Sequence, residues 1–164
     1  MPDLLSHVLI VYILYKPTDW YFSWFSNQTL GVVMIGTILP DLAKIRQILP
    51  AEPIEQILGQ ELILNGIHRL GPTAVLAGIG AMLFKQGKRR QAFAWLMTGA
   101  GLHFALDITV KRAGDVAPPY LYPVTWWEPP ALNLLQSSDT WPYIFTTTIA
   151  IIVWIADRWF MSTQ

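Results

Sequence analysis

The feature that most constrains this chain is a series of apolar stretches almost free of charge. Five stand out: Leu4–Tyr15, closed by Lys16-Pro17; Gln28–Leu39, closed by Pro40; Gly66–Phe84; Ala92–Val110; and Pro142–Phe160. The last three match the roughly 20 residues needed to cross a hydrocarbon core. The first two are nearer a dozen, so they read as half-spans or as helices extended through Trp20, Tyr21, Phe22, Trp24 and Phe25, rings suited to a headgroup belt. Charged residues are 13% of the 164, about half the roughly 25% of a soluble domain, while 53% are hydrophobic. Disorder, a coiled coil and a nucleic-acid domain are thereby excluded. Eleven basic residues balance eleven acidic ones, so no net field draws the chain to a polyanion. There is no Cys, which removes disulfides, thiolate metal sites and cysteine nucleophiles. The expectation is an all-α membrane protein, with residues 1–164 forming one domain of about five membrane-embedded helices in the inner or plasma membrane.

Two connections are long. In residues 40–65, Ile54, Ile57, Leu58 and Leu62 recur at helical spacing, predicting a short amphipathic helix on the membrane surface. Residues 111–141 are rich in Pro and aromatic residues and predict an irregular loop whose rings cap the membrane interface. Ser137-Ser138-Asp139-Thr140-Trp141-Pro142 reads as a cap followed by a helix-starting proline. Met1-Pro2-Asp3 lacks the basic start of a signal peptide. Lys85, Lys88, Arg89 and Arg90 occupy one short connection without an acid, which the positive-inside rule assigns to the cytoplasm. Residues 40–65, residues 111–141 and Met1 then face outward and Gln164 inward.

Ionisable groups inside apolar spans are costly and mark function by default. The three histidines are His7 in the first stretch, His68 near the start of the third and His103 near the end of the fourth. Asp107 follows His103 by four residues, on the same helical face and about 6 Å away at Cβ. Asp41 follows Pro40 where the second stretch ends. All five fall toward one side of the membrane, in a layer about 10 Å deep. Three imidazoles and two carboxylates form an N/O donor set suited to a divalent metal, Zn²⁺ first, with Mn²⁺ and Fe²⁺ as alternatives. The competing readings are an imidazole hydrogen-bonded within the bundle, Asp41 as a cap, and Asp107 paired with Lys111. Asp3 is either a further ligand or a cap. Lys44 and Arg46 read as headgroup contacts. Ala74, Ala77, Gly78, Gly80 and Ala81 are small residues expected to permit close helix packing. No G-x-S-x-G elbow or phosphate-cradling glycine loop occurs.

MPDLLSH at the start, GTILPDL around Asp41, the His68-Arg69 pair and GLHFALD over 101–107 resemble, in that order, the membrane-bound metal-dependent hydrolases, also described as LexA-regulated inner-membrane hydrolases. Gly114 and Tyr122-Pro123 are similar to the pattern that follows, and archaeal members look nearest. The resemblance covers about residues 1–125. It implies a helical membrane fold, a metal held by His7, Asp41, His68, His103 and Asp107, and distant similarity to phospholipase C-type zinc enzymes. Many members carry a second His about five residues after the His-Arg pair; Leu70-Gly71-Pro72-Thr73-Ala74 supplies none, which sets a second metal and turnover in question.

The expected activity is hydrolysis of a phosphoester or lipid-like substrate by a metal-activated water at the outer face, with Asp41 (or Asp107) as general base. Arg69 either holds a phosphate oxygen or snorkels to the headgroups. Membrane lipids are the expected partners, nucleic acid is not, and self-association is left open. The rival reading is a non-catalytic membrane scaffold or accessory subunit with a structural His/Asp cluster. A transporter fits less well, since its charged groups would lie near the midplane.

Overall fold

The structure is a computed structural model that describes residues 4–22, 27–42, 67–111, 115–136 and 139–162. Among these residues it is all-helical, with no named strand: α1 (Leu4–Phe22), α2 (Asn27–Ile38), α3 (Leu70–Met82), α4 (Arg89–Asp107) and α5 (Trp141–Ser162). The amphipathic helix expected in residues 40–65, together with Asp3, Lys44 and Arg46, lies outside the described residues. Of the described helices, only α5 is long and apolar enough to cross a membrane, through Trp141–Phe160. Helix α3 is apolar but only 13 residues long. Helices α1 and α4, at 19 residues each, span about 28 Å, but their polar ends lower their hydropathy.

Lys16-Pro17 does not close the first helix, which continues to Phe22 with Pro17 inside it. Proline removes one backbone donor and disturbs the preceding turn. Here the Thr18 hydroxyl donates to the Tyr15 carbonyl at 2.7 Å, and the turn beyond is anchored to α5. Lys16 Nζ lies 3.1 Å from Asp157 Oδ2, and Trp20 Nε1 donates to Asp157 Oδ1 at 2.9 Å. Tertiary contacts with α5 outweigh the local breaker. Near the other end of the same pair of helices, the Thr146 hydroxyl, which donates to the Pro142 carbonyl at 2.8 Å, approaches Ser6 Oγ at 3.4 Å, both residues buried.

Helix α4 is the centre of the bundle, packed on α2 and α3 and touching α1; α1 in turn packs on α5 and α2. The α2–α4 contact is the most extensive and is made through glycine. A Cβ on Gly99 would lie 2.8 Å from Thr37 N and inside the van der Waals envelope of the Val33 carbonyl. One on Gly36 would lie 2.9 Å from Leu96 Cα. The closest helix approach therefore lies at Gly36 and Gly99 and not on the third stretch, where small-residue packing was expected: there a Cβ on Gly80 would lie 3.3 Å from Leu96, but Gly78 has open space around it. Between α1, α2 and α4, Val11, Tyr15, Leu30 and Val33 form one apolar cluster, flanked by Trp95 and Leu102.

Residues 108–111 and 115–136 are irregular but tied to one another by backbone hydrogen bonds. Lys111 N donates to the Leu135 carbonyl, Ala117 N to Pro129 and Leu132 N to Ile108. The first turn of a helix leaves backbone donors without partners. In α3 they are met by this loop: Leu70 N donates to the Tyr120 carbonyl at 2.7 Å and Gly71 N to Tyr122 at 2.9 Å, while Pro72 has no N–H to satisfy. That docking accounts for α3 beginning at Leu70, inside the apolar stretch Gly66–Phe84 and not at its start. Asp139 accepts from Gln136 N at 2.8 Å, so it closes the turn before α5.

Candidate metal centre

The two ends of the bundle differ in chemistry. At one end meet the start of α1, the turn after α2, the turn before α3 and the end of α4, and each brings one or two ionisable groups. His7 lies in the first turn of α1, and His103 and Asp107 lie one turn apart on α4; all three have 0% exposure. Asp41 sits in a 3-10 turn over 39–42 and is 4% exposed. His68 lies in the turn before α3, its side chain 15% exposed.

All five groups come together. His68 Nε2 stands 2.7 Å from Asp107 Oδ2. Its Nδ1–H donates to the Pro40 carbonyl at 3.1 Å, the oxygen being able only to accept. Pro40 thus fixes the ring and turns Nε2 toward Asp107. His7 Nε2 lies 3.5 Å from Asp107 Oδ1, and His103 Nε2 lies 3.7 Å from both Asp41 Oδ1 and Asp107 Oδ2. The His7 and His103 rings stack with centroids 4.2 Å apart, and His68 meets His103 edge-on at 5.0 Å.

Two triads result, His7–His103–Asp107 and Asp41–His68–His103, each with one donor atom per residue and all three within 4.8 Å of one another. His103 belongs to both. Its ring nitrogens are fully buried and make no hydrogen bond among the described residues. A buried polar atom without a partner costs about 1–3 kcal/mol. Contacts of 3.5–3.7 Å are long for hydrogen bonds. They suit ligands about 2 Å from a shared ion, which stand roughly 3–3.5 Å from one another. A divalent cation would also offset the charge of two buried carboxylates while the imidazoles bind neutral. The residues present therefore form a donor set able to hold a metal ion.

Tyr120 closes the site from the loop side. It is 2% exposed, stacks on Phe104 at 5.2 Å and meets His68 edge-on at 5.6 Å. Composition marked it as one more ring of an interfacial loop; only its docking beside α3 makes it a wall of the site. Arg69, adjacent to His68, lies over Tyr122 at 5.2 Å and Trp126 at 5.9 Å, so two rings of the loop hold its guanidinium. Trp126 and Trp127 point outward, 68% and 57% exposed.

The loop's seat can be tested at one atom. A Cβ on Gly71 would fall 2.6 Å from Pro123 Cδ and 3.3 Å from the Tyr122 carbonyl oxygen. Gly71→Val should lift residues 120–126 off α3 and speed proteolytic cleavage there at least tenfold. Cleavage at the native rate would show that the loop is not seated on α3.

No protein family, curated protein or solved structure matches the chain.

Proposed function

We propose that the chain is a membrane-embedded, metal-dependent hydrolase acting on a phosphoester or lipid-like substrate at the outer face of the membrane. The observation that carries the reading is the convergence of five ionisable groups from four segments around His103, whose buried nitrogens have no hydrogen bond among the described residues. A cluster serving only to pack helices has no need of so many ionisable groups. His7, His68, His103, Asp107 and Asp41 would hold the ion, with Zn²⁺ best matched to the N/O set. When bound, the metal supplies Lewis-acid polarisation of the substrate oxygen and a water acidified to near neutrality. The chain supplies the rest. Asp41 takes the proton from the attacking water, Arg69 binds the phosphoryl oxygens through its N–H donors, and Tyr120 with Phe104 keeps bulk water from the His68 side.

The exposed apolar surface supports the bilayer. On α5, Ile152, Trp154 and Ile155 are all more than half exposed, as are Val75 and Ile79 on α3. Such patches on a folded chain need a covering, and hydrocarbon is the covering that suits helices apolar on their outer faces. In the proposed orientation the Lys85–Arg90 connection is cytoplasmic and the chain crosses several times. A single Cys introduced at Gln86 should resist an impermeant thiol reagent in intact cells and react after lysis, with no native Cys to interfere. Reaction in intact cells would reverse the orientation and move the centre to the inner face.

The scaffold alternative is favoured by one contact, the 2.7 Å approach of His68 Nε2 to Asp107 Oδ2, which with a proton on Nε2 ties the turn before α3 to α4 with no ion required. Zn²⁺-loaded protein in mixed micelles with phosphatidylglycerol, followed by phosphorus NMR, separates the two. The hydrolase reading expects a water-soluble phosphoester that disappears with Asp41→Asn or a chelator. Stoichiometric metal without turnover on this or other phosphodiesters would leave the scaffold.

A further inference from the structure

At the opposite end of the bundle, α3 and α4 do not close on each other. Gly78, Ala81 and Met82 on α3 and Phe93 on α4 line a groove of about 320 Å³, with Arg89 and Arg90 also on its wall. The small residues of α3 were expected to draw helices together. Gly80 does so, its Cβ position 3.3 Å from Leu96, but a Cβ on Gly78 would meet nothing within 4 Å. Gly78 therefore opens the groove.

Its surroundings narrow the occupant. The groove is apolar, so water fills it poorly and a hydrocarbon chain fills it well. Two guanidiniums stand beside it, and Lys85 and Lys88 extend the positive field, with no acid anywhere in residues 85–106. Arg89 Nε donates to the Phe84 carbonyl at 3.2 Å, which holds it at the turn. The Arg90 side chain makes no hydrogen bond or ion pair among the described residues. A guanidinium pairs with phosphate oxygens through two parallel N–H bonds. We infer that this groove binds an anionic phospholipid, one acyl chain lying along Gly78 and Ala81 and the headgroup phosphate on Arg89 and Arg90. The site uses none of the metal-centre residues. It shares with the proposed function only the bilayer, and the orientation proposed above sets it in the cytoplasmic leaflet, where basic segments next to the membrane attract anionic headgroups.

Gly78→Leu is the informative variant, because it fills the groove where the fold leaves open space and improves helix propensity. The full chain, purified in detergent, is titrated with dioleoyl phosphatidylglycerol, dioleoyl phosphatidylcholine and inorganic phosphate, and binding is read by native mass spectrometry. Metal content and thermal midpoint are recorded on the same preparations. The expected result is that phosphatidylglycerol binds at least tenfold more tightly than phosphatidylcholine. Gly78→Leu and Arg90→Ala should each weaken it at least tenfold, with metal content and thermal midpoint in lipid-free detergent unchanged. Wild-type binding by Gly78→Leu would overturn the proposal, leaving only diffuse attraction to the basic turn. Equal binding of the two lipids, or competition by inorganic phosphate at equal concentration, would overturn it as well. Loss of metal with lipid binding intact would strike the hydrolase reading alone.

Discussion

Replacing His103 should abolish divalent-metal binding at the His/Asp cluster. His103 is the one residue common to both triads, and the pair it forms with Asp107 sits one turn apart on the central helix. Losing it breaks both donor sets, whereas losing Asp41 leaves His7, His103 and Asp107 in place. Loss of a group that merely orients a ligand lowers metal affinity about 10–100-fold, so loss of the shared ligand is expected to cost about 100-fold or more. His103→Gln is preferable to alanine alone, since it keeps most of the volume at a fully buried position. The measurement is metal per chain by elemental analysis after dialysis at fixed free Zn²⁺, with a thermal melt to show that the variant is folded. Asp107→Asn should lower affinity nearly as far, because Asp107, although in one triad only, stands 3.5, 2.7 and 3.7 Å from the three imidazoles. Asp41→Asn should lose no more than about tenfold in affinity yet give no turnover. Wild-type metal content in a folded His103→Gln protein would remove the cluster as a metal site and the hydrolase with it.

A second large effect is expected far from any ligand. Gly99→Val drives a side chain into the backbone of α2, where the obstacles are the Val33 carbonyl and Thr37 N and no flexible side chain can step aside. Overpacking a core typically costs about 1–3 kcal/mol. A clash with backbone on a helix-helix contact belongs at or beyond the top of that range, about 3 kcal/mol or more. Gly78→Ala is the control: its Cβ enters open space and gains up to about 1 kcal/mol of helix propensity. The melting temperature in detergent should fall steeply for the first and hold or rise for the second. Gly99 lies four residues before His103, and Gly36 five before Asp41, so the α2–α4 contact also sets the separation of the two triads' members. Any Gly99→Val protein that folds should accordingly bind metal poorly. If Gly99→Val melted like Gly78→Ala, the close approach of α2 and α4 would be wrong.

The sequence alone carried the helical class and the candidate ligands. Apolar stretches with few charges leave a chain little choice but helices, because each helix satisfies its own backbone. His103 and Asp107 could be paired from their spacing, and the depth of His7, Asp41 and His68 within their stretches placed all five toward one end. Element ends were less legible. Lys16-Pro17 has the local chemistry of a stop, and only Asp157, some 140 residues on, explains why α1 runs through it. Leu70 starts α3 because Tyr120 and Tyr122, fifty residues later, supply its acceptors. Which glycines carry the helix contact was likewise undecided, since Gly36, Gly78 and Gly99 look alike until the helices are paired. Local preference acts over one or two turns and can be read along the chain. Which carbonyl orients His68, which ring walls the site and which glycine opens a groove depend on residues brought together only when the helices pack, and the tertiary structure decided them.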